Sequence, residues 1–152
     1  MKFSTRTFYG LKAILMLASR FGEGSLAVSQ IAKKEGISTP YLEQILNTLK
    51  KKGFVKSVRG PRGGYVLAQK PSTISLQDLF YVLEGKNFFK VSDRFSFSSE
   101  SEETTVANFI FWKKFESLLE EGLSRVTLKE LMDEARRLKR TKSVSSQTTF
   151  HI

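Results

Sequence analysis

Apolar residues recur along most of this chain at steps of three and four, the spacing that lines one face of a helix. Phe8, Leu11, Ile14, Leu15, Ala18 and Phe21 predict a first helix over Thr5 to Phe21, with Ser4 or Thr5 as its N-cap. After the Gly22-Glu23-Gly24-Ser25 turn, Val28, Ile31 and Ala32 predict a shorter helix from Val28 to Glu35, stopped at Gly36. Ile37 anchors the next turn and Ser38 caps a third helix, Thr39 to about Lys52. Leu42, Ile45, Leu46 and Leu49 form its buried stripe. Pro40 sits in its first turn, where an amide has no intrahelical acceptor to lose.

Two short strands, Phe54 to Arg59 and Tyr65 to Gln69, flank Gly60-Pro61-Arg62-Gly63-Gly64, a composition that marks a hairpin loop. Ser75 with Asp78 opens a fourth helix ending near Glu84. Lys86 to Glu103 is polar and Ser-rich yet carries Phe88, Phe89, Val91, Phe95 and Phe97. A long helix follows from about Thr104 to Ser124, with Val106, Phe109, Trp112, Phe115, Leu119 and Leu123 on one stripe. Thr127-Leu128-Lys129-Glu130 is a capping box for a last helix to about Arg140, and the Ser/Thr-rich run 141–152 is expected to be disordered.

Two helices joined by a short Gly-containing turn, the second polar on its outside, followed by a hairpin, make a winged helix-turn-helix. The expected fold is therefore mainly α with a small β-hairpin. Residues 1–70 would be the DNA-binding domain, 71–140 a helical dimerisation and regulatory region, and 141–152 a tail.

Charge sharpens this. The chain carries a formal +10, with 13 Lys/Arg against 3 Asp/Glu in residues 1–70 and 12 of each in residues 71–152. A basic domain beside a neutral one is the footprint of a phosphate-backbone binder, and less that of an acidic membrane surface. Lys12 and Arg20 keep the Leu11 to Ala18 stretch far short of a membrane span, and no small-residue cleavage site makes it a signal peptide. The expected location is cytoplasmic. The chain has no cysteine and one histidine, His151, and no recognisable nucleophile or metal motif, so no enzyme, cofactor or metal site is expected.

On DNA, the first turns of a recognition helix face base edges in the major groove. Here they offer Thr39, Tyr41, Glu43, Gln44 and Asn47. Gln and Asn pair bidentately with adenine, Glu accepts from a cytosine amine, and a Thr methyl meets a thymine methyl. Lys50, Lys51 and Lys52 suit phosphates better than bases, or act only as solubilising charge. Arg59 and Arg62 suit a narrow minor groove, and Gly60 lets the loop backbone approach phosphates. Phe109, Trp112, Phe115 and Leu119 carry more apolar area than a small wing domain covers, which suggests pairing with a twin helix in a two-fold dimer on a palindromic operator. A non-specific architectural DNA binder, or a repressor sensing a small molecule in a pocket lined by the phenylalanines of 88–97, remain alternatives.

Three segments then carry a specific resemblance: Tyr41-Leu42-Glu43-Gln44-Ile45-Leu46, Gly53-Phe54-Val55, and Ser57-Val58-Arg59-Gly60-Pro61-Arg62-Gly63-Gly64-Tyr65. Together they resemble the signature of the Rrf2 family of transcription regulators, and Glu84-Gly85, Trp112, Thr127-Leu128 and Leu131 fall in line with it over about residues 1–132. The resemblance implies a homodimer on two half-sites, base contacts from Thr39, Glu43 and Gln44, and a minor-groove contact from Arg59. Arg62 replaces a commoner glycine. Cluster-binding members carry three cysteines where this chain has Lys86 to Glu103, without cysteine or histidine, so no iron–sulfur cluster is expected. Cysteine-metabolism repressors of the family also lack a cluster and are controlled by cysteine synthase, an enzyme that accepts C-terminal peptides ending in isoleucine. Phe150-His151-Ile152 makes Ile152 the candidate anchor for that partner.

Overall fold

The computed structural model describes residues 2–149, with side chains as far as Val144. Among the described residues six α-helices follow in order: α1 (Thr5–Ser19), α2 (Val28–Glu35), α3 (Thr39–Lys51), α4 (Leu76–Glu84), α5 (Glu103–Arg125) and α6 (Leu128–Thr149). An antiparallel hairpin of β1 (Val55–Val58) and β2 (Gly64–Leu67) lies between α3 and α4, in the register Val55 opposite Leu67 and Val58 opposite Gly64. This is the mainly α winged helix-turn-helix that the sequence pattern predicts.

The core joins α1, α2, α3 and α4 with the hairpin and with Leu128 at the start of α6. The α3 stripe is buried as expected: Leu42, Ile45, Leu46 and Leu49 are all inside. The buried face of α1 is only partly the expected one: Ile14 and Ala18 are buried and Leu11 and Leu15 pack against the core, but the face is rotated toward smaller residues. Thr7, Gly10, Ala13, Ile14, Leu17 and Ala18 face inward, while Phe8 and Phe21 are 58% and 47% exposed. Gly10 is the reason: a Cβ there would stand 2.7 Å from a Leu83 methyl and 3.3 Å from Ile45, so the small-residue face lets α1 close on α4 and α3.

Local capping follows chemistry. Ser4 accepts from Thr7 N–H at 3.3 Å, and Glu84 binds that same cap from α4, accepting from Ser4 N–H at 2.7 Å and Thr7 Oγ1 at 2.6 Å. Burial alone would push the Glu84 carboxyl up, but the Thr7 and Ser4 donors and Arg6 outweigh it and hold it below the ordinary value. Ser75 with Asp78, and Thr127 with Glu130, form the two expected capping boxes. Ser38 occupies the N-cap position of α3 but makes no side-chain cap bond. Pro40, at the second helical position, lacks one of the amides that such an oxygen would accept from.

The tail reading needs correction for residues 141–149. α6 continues nine residues past Arg140 to Thr149 instead of giving way to a disordered run. Residues 128–149 contain neither Gly nor Pro, and Thr141 Oγ1 returns its hydrogen bond to Arg137 C=O at 3.1 Å within the helix. Nothing in that composition breaks the helix. Ile152, the proposed anchor for cysteine synthase, lies outside the described residues, as does His151.

Candidate nucleic-acid interface

α3 stands against α1 and α2 through its apolar stripe, which turns its polar residues outward. Thr39, Glu43, Gln44 and Asn47 are exposed. Glu43, Gln44 and Asn47 share one open concavity with Val28, Pro40 and the Tyr65 ring of β2, so the third helix and the wing face the same space. Tyr41 differs from the other expected readers. It is half-buried, with its ring edge-on to Tyr9 at 5.9 Å.

The wing is held at a fixed distance from the helix pair. Leu26 pairs with Tyr65 by two backbone bonds, at 3.0 and 2.8 Å, and acts as a third short strand beside β2. Gly64 is required there, since a Cβ would lie 2.0 Å from the Leu26 carbonyl oxygen. Ser25 Oγ donates to the Arg62 carbonyl at 2.6 Å and ties the wing loop to the turn after α1. A Gly63 N–H to Gly60 C=O bond of 2.9 Å closes the tip, where Gly60 takes a φ of +114°. Arg59 and Arg62 are exposed there, and neither side chain has an ion-pair partner among the described residues.

The three lysines at the end of α3, Lys50, Lys51 and Lys52, are all exposed, and Lys50 also reaches across to the wing and donates to Ser57 Oγ at 2.9 Å. Lys50 thus braces α3 against β1. One residue on this surface escaped sequence reasoning. Arg6, from the start of α1, donates through Nη2 to Thr48 Oγ1 at 2.7 Å and lines a hollow with Tyr41 and Gln44. Its 42-residue separation from Thr48 left no local signal.

α5 carries the expected dimer residues. Phe109, Trp112, Phe115 and Leu119 are half-buried within the chain. Part of that cover comes from the preceding segment: Phe95 stacks on Trp112 at 6.0 Å and Phe97 meets Phe109 at 5.1 Å. The more exposed apolar residues of α5 are Ile110, Phe111 and Leu118, at 45%, 59% and 70%, which lie off the stripe read from spacing. The phenylalanines of 88–97 are taken up in ring contacts: Phe88 with Phe3, and Phe89 with Phe80 and Phe88.

With this geometry in view, the comparisons are specific. The chain matches the Rrf2 family, described as an iron-dependent transcriptional regulator, over residues 3–134. It is 36% identical over 131 residues to the transcriptional regulator CymR of Bacillus subtilis, covering 86% of this chain and 89% of that one. It is 42% identical over 76 residues to IscR of Aliivibrio salmonicida, covering 50% and 45%. Its backbone superposes on the structure of CymR, the global cysteine regulator of B. subtilis, with a TM-score of 0.73 over 88% of this chain and 98% of that one, at 34% identity. T. potens IscR superposes with 0.70 over 89% and 88%, at 38% identity.

The chain belongs to the Rrf2 family. It is a transcription regulator with the family's winged-helix DNA-binding fold. No helix among the described residues is long and apolar enough to cross a membrane.

The family's iron is another matter. Iron–sulfur clusters are held by thiolates, in some cases with histidine. The segment 86–103 has neither, and its one buried serine, Ser92, is committed to Glu116. The donor set does not fit a cluster.

Proposed function

We propose that this chain is a sequence-specific repressor in cysteine or sulfur metabolism, binding a two-fold-symmetric operator as a homodimer without an iron–sulfur cluster. The observation that carries it is the shared concavity of Glu43, Gln44, Asn47 and Tyr65 of the wing, on a helix and hairpin that also expose the cations Lys51, Arg59 and Arg62. An exposed carboxylate at Glu43 repels phosphates, so a purely backbone-binding surface has no use for it. A reader of cytosine amines does. Thr39, Gln44 and Asn47 complete the base-facing set. Tyr41, Arg6 and Lys50 steady it, and Lys51, Arg59, Arg62 and the Gly60 backbone meet the sugar–phosphate chain.

Dimerisation through α5 is supported by Ile110, Phe111 and Leu118, which leave an apolar strip in water beside the half-buried Phe109, Trp112, Phe115 and Leu119. The pathway rests on similarity to the cysteine regulator along nearly its whole length. Cysteine synthase is the partner that this reading names, with Ile152 as anchor. Calorimetry of that enzyme with a peptide ending in Phe150-His151-Ile152, and with one lacking Ile152, tests the anchor: equal affinity for both, or none for either, leaves the tail without a role.

Selection of binding sites from a random duplex pool tests the function itself. The expected product is a palindrome with half-sites about 10 base pairs apart, bound at least ~10³-fold more tightly than unrelated DNA. Comparable affinity for all duplexes overturns the reading.

A further inference from the structure

Between the end of α1, the link that follows β2, and the first turns of α6 lies a hollow of about 360 Å³, within the range of small-molecule sites. We propose that it binds a small organic monocarboxylate. Its apolar wall is Ala18, Phe21, Pro71 and Met132. Phe21 is an aromatic ring left half in water that no core contact explains, and an apolar ligand body would cover it.

The charged rim is Lys70, Lys129 and Arg136, with Asp133 and Glu23. Both acids are already engaged. Asp133 accepts from Lys129 at 2.5 Å and from Arg136 at 3.4 Å, and Glu23 pairs with Arg20 at 3.3 Å. The Lys129 hydrogen bond, against slight desolvation and helped by the charges of Lys129 and Arg136, holds the Asp133 carboxyl below its ordinary value, so it stays an anion and does not compete as a donor. Two cations thus share one carboxylate, and the Lys70 ammonium has no hydrogen-bond or ion-pair partner among the described residues. The surplus is cationic and sits above an apolar wall. That combination suits a carboxylate with an apolar body, its oxygens on Lys70 and the spare N–H groups of Arg136.

The position gives binding a consequence. Lys70 follows β2 by three residues, on the segment by which the chain leaves the wing, while Met132 and Arg136 belong to the helix that follows α5. A ligand touching both favours one placement of the wing relative to the dimer helix, and so couples to operator affinity by linkage. That regulatory step rests on the proposed DNA-binding function. Occupancy of the hollow does not.

The test is a titration of the full chain, followed by NMR and calorimetry, with phenylacetate, its uncharged analogue 2-phenylethanol, and phenyl phosphate. Phenylacetate is expected to bind saturably, about 10-fold more tightly than the alcohol and more tightly than the phosphate, a step of ~1.4 kcal/mol. Lys70→Gln, at an exposed position, should weaken phenylacetate several-fold while leaving the alcohol unchanged, and Met132→Trp should fill the hollow and abolish both. Equal affinity for acid and alcohol, no binding of any probe, a preference for phenyl phosphate, or indifference to Lys70→Gln would each overturn the proposal. Operator affinity is read separately on the same samples. Phenylacetate binding without any specific DNA binding would count against the proposed function and leave the hollow's assignment standing.

Discussion

Glu116 holds Ser92 with both carboxylate oxygens, one accepting from the Ser92 backbone N–H and the other from its hydroxyl at 2.9 Å. Both residues are buried, Ser92 at 1% and Glu116 at 7% exposure, and Glu116 is the one residue of α5 that is fully inside. A carboxylate therefore pins the phenylalanine-bearing segment 86–103 onto the long helix, where Phe95 then stacks on Trp112.

This contact predicts acid sensitivity. Burial alone would raise the Glu116 carboxyl, but the Ser92 donors, with Lys113 and Lys90, outweigh it and hold it below the ordinary 4.5. A group depressed in the folded state contributes stability that is present above its unfolded value and lost as pH falls through the folded one. Urea midpoints of the wild type should fall as pH drops below about 4.5, and a Ser92→Ala, Glu116→Gln double variant should lose that part of the dependence. At pH 7, Ser92→Ala alone should cost about 1.5–3 kcal/mol. An unchanged acid limb in the double variant would assign the acid sensitivity to other carboxylates.

The wing depends on Gly64. A side chain there collides with the Leu26 carbonyl, so Gly64→Ala must push β2 off the segment that leads into α2 at a cost of about 1–3 kcal/mol. Hydrogen exchange at Leu26 and Tyr65 amides should accelerate, while the α3 core amides stay protected. Unchanged exchange at Leu26 would mean that the strand pairing tolerates the methyl.

Assembly is tested where folding is least at risk. Leu118→Glu places a charge on the most exposed apolar residue of α5, with no core contact to lose. Sedimentation should show a monomer with an unaltered circular dichroism spectrum and strongly reduced affinity for a two-half-site operator. A variant that stays dimeric places the interface elsewhere.

Much of this architecture was legible in the sequence because α2 and α3 carry clear apolar periods, the hairpin a Gly/Pro-rich loop, and α4 and α6 their capping boxes. The face of α1 was misread in part, because Phe8 and Phe21, the latter just past the end of the helix, outweigh Gly10 and Ala13 in a hydrophobic pattern. Close helix packing selects the small ones. The extension of α6 was hidden by Ser/Thr composition, which disfavours helix residue by residue but contains no breaker. Arg6 on Thr48 and Glu116 on Ser92 are contacts across 42 and 24 residues, which only the fold brings together. The outward face of α3 was readable because it is what remains once the stripe is buried.

That face is the central claim, and two substitutions separate its roles on a selected operator and its single-base variants. Gln44→Ala should cost about 1–3 kcal/mol at one base pair per half-site and little at the others, changing which base is preferred there. Lys51→Ala should weaken every sequence alike and reduce the slope of affinity against salt by about one. A base-specific loss for Gln44→Ala beside a uniform one for Lys51→Ala is the predicted result, and the same uniform loss for both would contradict α3 as the reader.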